Sequence, residues 1–256
     1  MSSAVIADIK RGSFEDGSGI RTVIFFKGCP LNCRWCHNPE CISPKPQTLF
    51  YPEKCIGCQR CSQGCYAGAR TVCGSRMTAE QIMDIINQDK NYYGETGGVT
   101  FSGGEPVAQA AFLKELIELC RGQGINTAIE TSLFIYDEEI FKKLNFIMAD
   151  LKIWNDSLHQ QYTGVSNQII LENFKKLDRI KVPIIARTPV IPEIEQDIPR
   201  ISEFLSERKN VVKYELLPYH PLGEVKRRAL NMEPNHFSVP GKELMDSLQK
   251  YTFSRI

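Results

Sequence analysis

The sequence predicts an α/β fold, a partial (β/α)6 barrel of parallel strands that carries a small cysteine-rich insert. Three observations lead there. Short β-branched and aromatic runs alternate with amphipathic helical stretches, the pattern of repeated βα units with helices outside a parallel sheet. Six such strands are too few to close an eight-stranded barrel. The first two strands begin at residues 22 and 99, whereas one βα unit takes about 30 residues, and the excess coincides with Asn38–Met77.

The strand candidates are Thr22–Lys27, Val99–Ser102, Asn126–Thr131, Phe146–Lys152, Pro183–Thr188 and Val211–Leu217. Between them the helices have readable ends. Thr78 with Gln81 forms a capping box ahead of Ile82, Ile85 and Ile86. Pro106 suits a first helical turn, and Gly122 suits the end of a helix carrying Phe112, Leu113, Leu116 and Leu119. Asp137 suits an N-cap, and Ser166 opens a helix running to Leu177. The barrel therefore comprises residues 1–37 and 78–256. The insert, 38–77, has four prolines, six cysteines and little helical periodicity, and reads as folded around metal rather than around an apolar core.

Composition narrows the function. The 256 residues carry 31 basic and 30 acidic side chains, mixed along the chain, which leaves no electrostatic footprint for nucleic acid or anionic membrane. No apolar run is long enough to span a bilayer, and the N-terminus lacks the apolar stretch of a signal peptide, so the expected location is the cytoplasm. Of ten cysteines, nine fall between Cys29 and Cys73. In a reducing compartment such clustering points to metal ligation rather than disulfides. Cys120, at helical spacing in FLKELIELC, reads as a small buried hydrophobe.

The sharpest motif is Cys29-Pro-Leu-Asn-Cys33-Arg-Trp-Cys36, immediately after the first of these strands. Three thiolates on one short loop can hold three irons of a [4Fe–4S] cube and leave the fourth iron open to substrate. The alternative is a structural zinc site completed by His37. The motif Gly103-Gly104-Glu105-Pro106 follows the second strand; its glycines allow close backbone approach, and Glu105 can receive an ammonium group. Alone it could be only a strand-to-helix turn. In the insert, Cys55, Cys58, Cys61 and Cys65 form the C-x2-C-x2-C-x3-C run of bacterial ferredoxins, whose fourth cysteine ordinarily serves a second cluster. Zinc is again the alternative. Only one run is present and Tyr66 replaces the usual Pro, so six insert cysteines suit one auxiliary cluster rather than two. The fourth ligand comes from Cys73, Cys41 or Cys65, with Cys73, a short return loop away, as the favoured choice.

The Cys29–Cys36 motif after a strand resembles the radical S-adenosylmethionine (SAM) superfamily, in which the open iron takes the amino and carboxylate groups of SAM. The closer resemblance, over nearly the whole chain, is to glycyl radical enzyme activating enzymes. It rests on Gly17-Ser-Gly19-Ile-Arg21, Phe25-Phe-Lys-Gly28-Cys29, Cys36-His37-Asn38-Pro39, Ser102-Gly-Gly-Glu-Pro106, Asp150-Leu-Lys152, Arg187 and Leu217-Pro-Tyr-His220. The resemblance implies a radical SAM barrel with a ferredoxin-like insert. It places Gly103, Gly104, Glu105, Asp150 and Lys152 on SAM, Arg187 near its charged groups and His220 near its ribose. It also implies a monovalent cation held by Glu130, Thr131, the Met148 carbonyl and Asp150, with Glu130 where the family often has Asp. Asp16, in a glycine-flanked loop whose plainer reading is turn chemistry, would lie at the active-site mouth beside the partner's glycine.

The implied activity is reductive cleavage of SAM and removal of a hydrogen atom from a glycine of a partner glycyl radical enzyme, by a monomer fed by a flavodoxin or ferredoxin-type donor. Asp16, Lys152 and Arg187 are the expected catalytic side chains. Pyruvate formate-lyase is disfavoured as the partner, since its activases usually lack the insert. Two alternatives stand beside this reading: a radical SAM enzyme acting on a small molecule, and a non-catalytic iron–sulfur electron carrier.

Overall fold

The structure is a computed structural model that describes residues 2–255. The chain opens with an antiparallel hairpin, β1 (Ser3–Ser13) and β2 (Arg21–Phe26). An excursion follows, with β3 (Gln47–Phe50) and β4 (Arg70–Cys73) paired in a small sheet of their own. Strand β5 (Ser75–Thr78) then returns to pair with β1. The rest alternates: α1 (Ala79–Asp89), β6 (Gly98–Gly103), α2 (Ala110–Gly122), β7 (Asn126–Thr131), α3 (Glu138–Phe141) and β8 (Phe146–Asp150). Next come α4 (Asp156–Thr163), α5 (Gln168–Leu177), β9 (Ile184–Val190), α6 (Ile198–Ser206) and β10 (Val211–Pro218), then α7 (Gly223–Ala229), α8 (Lys242–Leu248) and β11 (Phe253–Ser254).

The main sheet has nine strands in the order β11-β10-β9-β8-β7-β6-β2-β1-β5. Its central run, β2 through β10, is parallel and consists of the six expected strands. The sheet ends in β11 and β5, so the barrel is open. β1, β5 and β11 were not expected. β1 and β11 flank the parallel run antiparallel to β2 and β10, and β5 pairs antiparallel with β1. The expected insert ran to Met77, but Ser75–Met77 already belong to the main sheet, so the chain rejoins the barrel at Ser75.

Alternation along the parallel strands divides two environments. Ile24, Phe26, Val99, Phe101, Ile129, Ile147 and Ala186 face the helices, where Ile82, Leu116, Ile117 and Phe174 complete one core. Each Val, Ile, Leu or Phe among them contributes roughly 1.5–3 kcal/mol on burial. The opposite face, the barrel interior, carries Arg21, Thr100, Ser102, Glu130, Met148, Asp150 and Arg187. The capping box at Thr78 is formed by both hydrogen bonds, and Asp137 caps α3. The helix expected to open at Ser166 begins at Gln168, because Asn167 instead donates its amide to the Ile153 and Trp154 carbonyls.

Arg21 closes the N-terminal end of the barrel. Fully buried, it donates to Thr100 Oγ1 at 2.6 Å, the Val99 carbonyl at 2.7 Å and the Ser18 carbonyl at 3.1 Å, over the Phe146 ring. Burial pushes its pKa down to about 10. A Cβ on Gly17 would meet Phe146 at 2.6 Å and one on Gly19 the Gly97 nitrogen at 2.4 Å, which explains the glycines of this loop.

Candidate functional site

The cysteine loop lies at the C-terminal ends of the parallel strands and is tied down from two sides. The N–H groups of Asn32 and Arg34 donate to the Thr163 and Tyr162 carbonyls at 2.8 and 3.0 Å, satisfying carbonyls that the end of α4 leaves open. Beneath the loop a second apolar cluster joins Leu31, Cys33 and Trp35 to Ile153, Ile191, Ile194 and Tyr219. Gly223, the first residue of α7, packs so closely that a Cβ there would stand 2.4 Å from the Cys36 carbonyl oxygen. Cys29, Cys33 and Cys36 are free thiols. Burial pushes all three up, Cys33 to about 12, with Lys152 pulling Cys33 and Cys36 the other way. Ligation by metal would remove those protons.

Gly103 and Gly104 seat the next turn directly on the cysteine loop. The Gly104 N–H donates to the Phe26 carbonyl and the Glu105 N–H to that of Gly28, each at 2.8 Å. A Cβ on Gly103 would meet Phe26 backbone at 2.3 Å, and one on Gly104 the Gly28 and Cys41 carbonyls at 2.5 and 2.6 Å. Glu105 departs from expectation. Its side chain is fully buried and accepts from Thr131 Oγ1 (2.9 Å), the Ser132 N–H (3.0 Å) and Ser132 Oγ (2.7 Å). The carboxylate is turned into the protein, where it locks β7 to the Gly-Gly turn, and does not face the interior to meet an ammonium group. Burial raises its pKa, with these donors opposing. Ser132 was missed; its only signal is its place one residue after a strand-end Thr.

Along the interior runs a continuous chain of charge. Lys152 Nζ donates to Asp150 Oδ2 at 2.7 Å, Arg187 Nε to Asp150 Oδ1 at 3.4 Å and Arg187 Nη1 to Glu130 Oε1 at 2.8 Å. Ser102 Oγ donates to the other Glu130 oxygen. Burial opposes the charge on Lys152, but Asp150 and Cys33 outweigh it and its pKa stands raised. Burial likewise works against the Asp150 carboxylate, and Lys152 and Arg187 overcome it and hold the group below its usual range.

The groups expected around a monovalent cation are adjacent yet engaged. The charge between Glu130 and Asp150 is that of Arg187, which also approaches Met148 Sδ at 3.5 Å, and the Thr131 hydroxyl serves Glu105.

His220 stacks on His37, ring centroids 3.8 Å apart, beside Cys36. His220 Nδ1 and His37 Nε2 are buried without a hydrogen-bond partner, as polar atoms awaiting a ligand are. Burial, reinforced by His220, pushes His37 down to about 4. Asp16 is not brought to this end. Its loop crosses the N-terminal ends of the strands, where the Asp16 carboxylate takes Ser13 Oγ and Lys10 and its carbonyl takes Thr100 Oγ1.

In the insert, Cys55, Cys58, Cys61 and Cys65 line one cavity, closed by Phe50, Ala67, Ala69 and Arg70. Cys73, the expected fourth ligand, is not among its walls. It sits on β4 opposite Gln47, with Sγ 3.9 Å from the Ala7 carbonyl of β1. Cys41 is buried beside the Gly28 turn. Among the described residues no group of His, Cys, Asp or Glu is arranged to hold a single metal ion.

The profile of the radical SAM superfamily matches residues 23–205, which contain the cysteine loop, the Gly-Gly turn and the charged chain. The chain belongs to the radical SAM superfamily. Among its relatives is the 4-hydroxyphenylacetate decarboxylase activating enzyme of Clostridioides difficile (strain CD196), 33% identical over 90% of this chain and 86% of the relative. Another is the (2S)-3-sulfopropanediol dehydratase activating enzyme of Klebsiella oxytoca, 35% identical over 89% and 86%. A solved domain of a pyruvate-formate lyase-activating enzyme from Bacteroides vulgatus ATCC 8482 superposes with a TM-score of 0.51 at 28% identity, covering 60% of this chain and 92% of that domain. The resemblance to glycyl radical enzyme activating enzymes is thereby borne out. No helix among the described residues is long and apolar enough to cross a membrane.

Proposed function

We propose that this radical SAM protein activates a partner glycyl radical enzyme in the cytoplasm, taking one electron from a flavodoxin or ferredoxin-type donor. One observation carries the reading: the three-cysteine loop, the Gly-Gly turn and the Lys152–Asp150–Arg187–Glu130 chain share one end of an open barrel. Cys29, Cys33 and Cys36 would hold the [4Fe–4S] cluster, and Cys55, Cys58 and Cys61 three corners of an auxiliary one. Bound together, cluster and SAM would supply the radical chemistry, one electron cleaving SAM to methionine and a species that takes a hydrogen atom from the partner's glycine Cα and leaves as 5'-deoxyadenosine.

The protein's own residues bind and exclude. The backbone of Gly103 and Gly104 offers carbonyls to the SAM amino group, a role that buried Glu105 supports from behind. Lys152 and Arg187 set positive charge toward the SAM carboxylate. The paired rings of His37 and His220 offer their unpartnered nitrogens to the ribose side. A monovalent cation beside the carboxylate would have to take Glu130 and Asp150 from Arg187. Asp16, held by Ser13, Lys10 and Thr100 at the opposite end, is not placed to meet a glycine segment beside SAM.

The chain would act as a monomer in transient contact with its partner. Dithionite-reduced protein mixed with SAM and the glycyl radical enzyme that co-purifies with it should yield 5'-deoxyadenosine and a glycyl doublet by electron paramagnetic resonance (EPR). 5'-Deoxyadenosine without a protein radical would favour the small-molecule alternative; neither product would leave an electron carrier.

A further inference from the structure

The ferredoxin run has four cysteines, of which the fourth ordinarily turns away to a second cluster. Here the turn that would send it away is missing. Gly64 stands at φ 101°, a conformation open to glycine, and reverses the chain between Cys61 and Cys65. At the next position Tyr66, 90% exposed, replaces the ring-locked Pro. The result is that Cys65 lines the same cavity as Cys55, Cys58 and Cys61.

From Arg70 onward β4 runs flat against β3, and the strand's register carries Cys73 out of the cavity toward Ala7.

We infer that Cys55, Cys58, Cys61 and Cys65 ligate a single auxiliary [4Fe–4S] cluster, closed on all four irons, and that Cys73 and Cys41 are not ligands. This rests on the proposed auxiliary cluster but goes beyond it. A closed cluster has no open iron to bind substrate, which leaves SAM to the Cys29–Cys36 loop.

The test uses the full chain with Cys29, Cys33 and Cys36 all replaced by Ala, which isolates the insert. After anaerobic reconstitution this parent should hold about four irons. Adding Cys65→Ala should lower the iron or give a new EPR spectrum that shifts again with added 2-mercaptoethanol, the mark of an iron left open. Adding Cys73→Ala or Cys41→Ala should leave iron and spectrum at the parental values. Parental iron and spectrum in Cys65→Ala, or their loss in Cys73→Ala, would overturn the assignment while leaving an auxiliary cluster in place. A parent that binds no iron, or binds zinc instead, would sink the auxiliary cluster and this assignment together. Should the parent fail to fold, the same single substitutions in the otherwise unaltered chain, read by Mössbauer spectroscopy, decide between the same outcomes.

Discussion

Arg187 on β9 reaches past the intervening strand β8 to donate to Glu130 on β7 at 2.8 Å, and in passing it also donates to Asp150. One guanidinium thus bridges two interior carboxylates, and with Lys152 on Asp150 the two cations balance the two anions. Removing it leaves Glu130 without a cationic partner, whereas Asp150 keeps Lys152, and breaking a buried pair from one side costs about 3–5 kcal/mol. Arg187→Ala should therefore lower the stability of the cluster-free protein by that order in urea unfolding. Arg187→Lys, which cannot fork to both carboxylates, should recover only part.

Glu105 separates two accounts of the Gly-Gly-Glu motif. Its carboxylate accepts from Thr131 and Ser132 inside the protein. Glu105→Ala should consequently destabilise the protein even without SAM, by about 1–3 kcal/mol for donors left unsatisfied, and weaken SAM binding as the turn relaxes. Glu105→Gln, which keeps an acceptor oxygen, should lose less of both. A Glu105→Ala protein with unchanged unfolding but impaired SAM affinity would place the carboxylate on the ligand after all.

His159 predicts a pH dependence. It lies fully buried on α4, whose end anchors the cysteine loop, and burial lowers its pKa despite the Val165 carbonyl it bonds. A base with a depressed folded pKa contributes stability above its unfolded value of about 6.5 and loses it as pH falls below that value toward the folded pKa. Chemical denaturation between pH 7.5 and 5.5 should show stability declining below about 6.5. His159→Gln should reduce that slope, with buried His37 supplying what remains.

The iron count bears on the insert. Two four-iron clusters give about eight irons per reconstituted chain. About twelve would require a second auxiliary cluster, for which Cys41 and Cys73 are the only thiols remaining in the insert.

How far the sequence carried these conclusions depends on whether a feature is local. The six parallel strands were legible because each is a short apolar run with its own turn signals, and Thr78 and Asp137 mark helix starts by side chains three residues from their partners. The flanking strands were not. β1 mixes Asp8, Lys10 and Arg11 into an edge position, and β5 earns its place only by pairing with residues some seventy positions earlier, as Ser75 does with Ile6. At the site, residue types and spacing pointed to iron and SAM. Direction did not follow from them. Glu105 turns inward because Ser132 offers it two donors, and Cys73 turns away because β4 pairs with β3, facts that exist only after folding.

The central claim is that the Cys29–Cys36 loop supports reductive cleavage of SAM. It is tested most directly by measuring 5'-deoxyadenosine formed by anaerobic, dithionite-reduced protein given SAM, beside Cys29→Ala, Cys33→Ala and Cys36→Ala variants. The intact chain should form it and each variant should form none. Product from all three variants at the level of the intact chain, or none from the intact chain with its iron in place, would contradict the account.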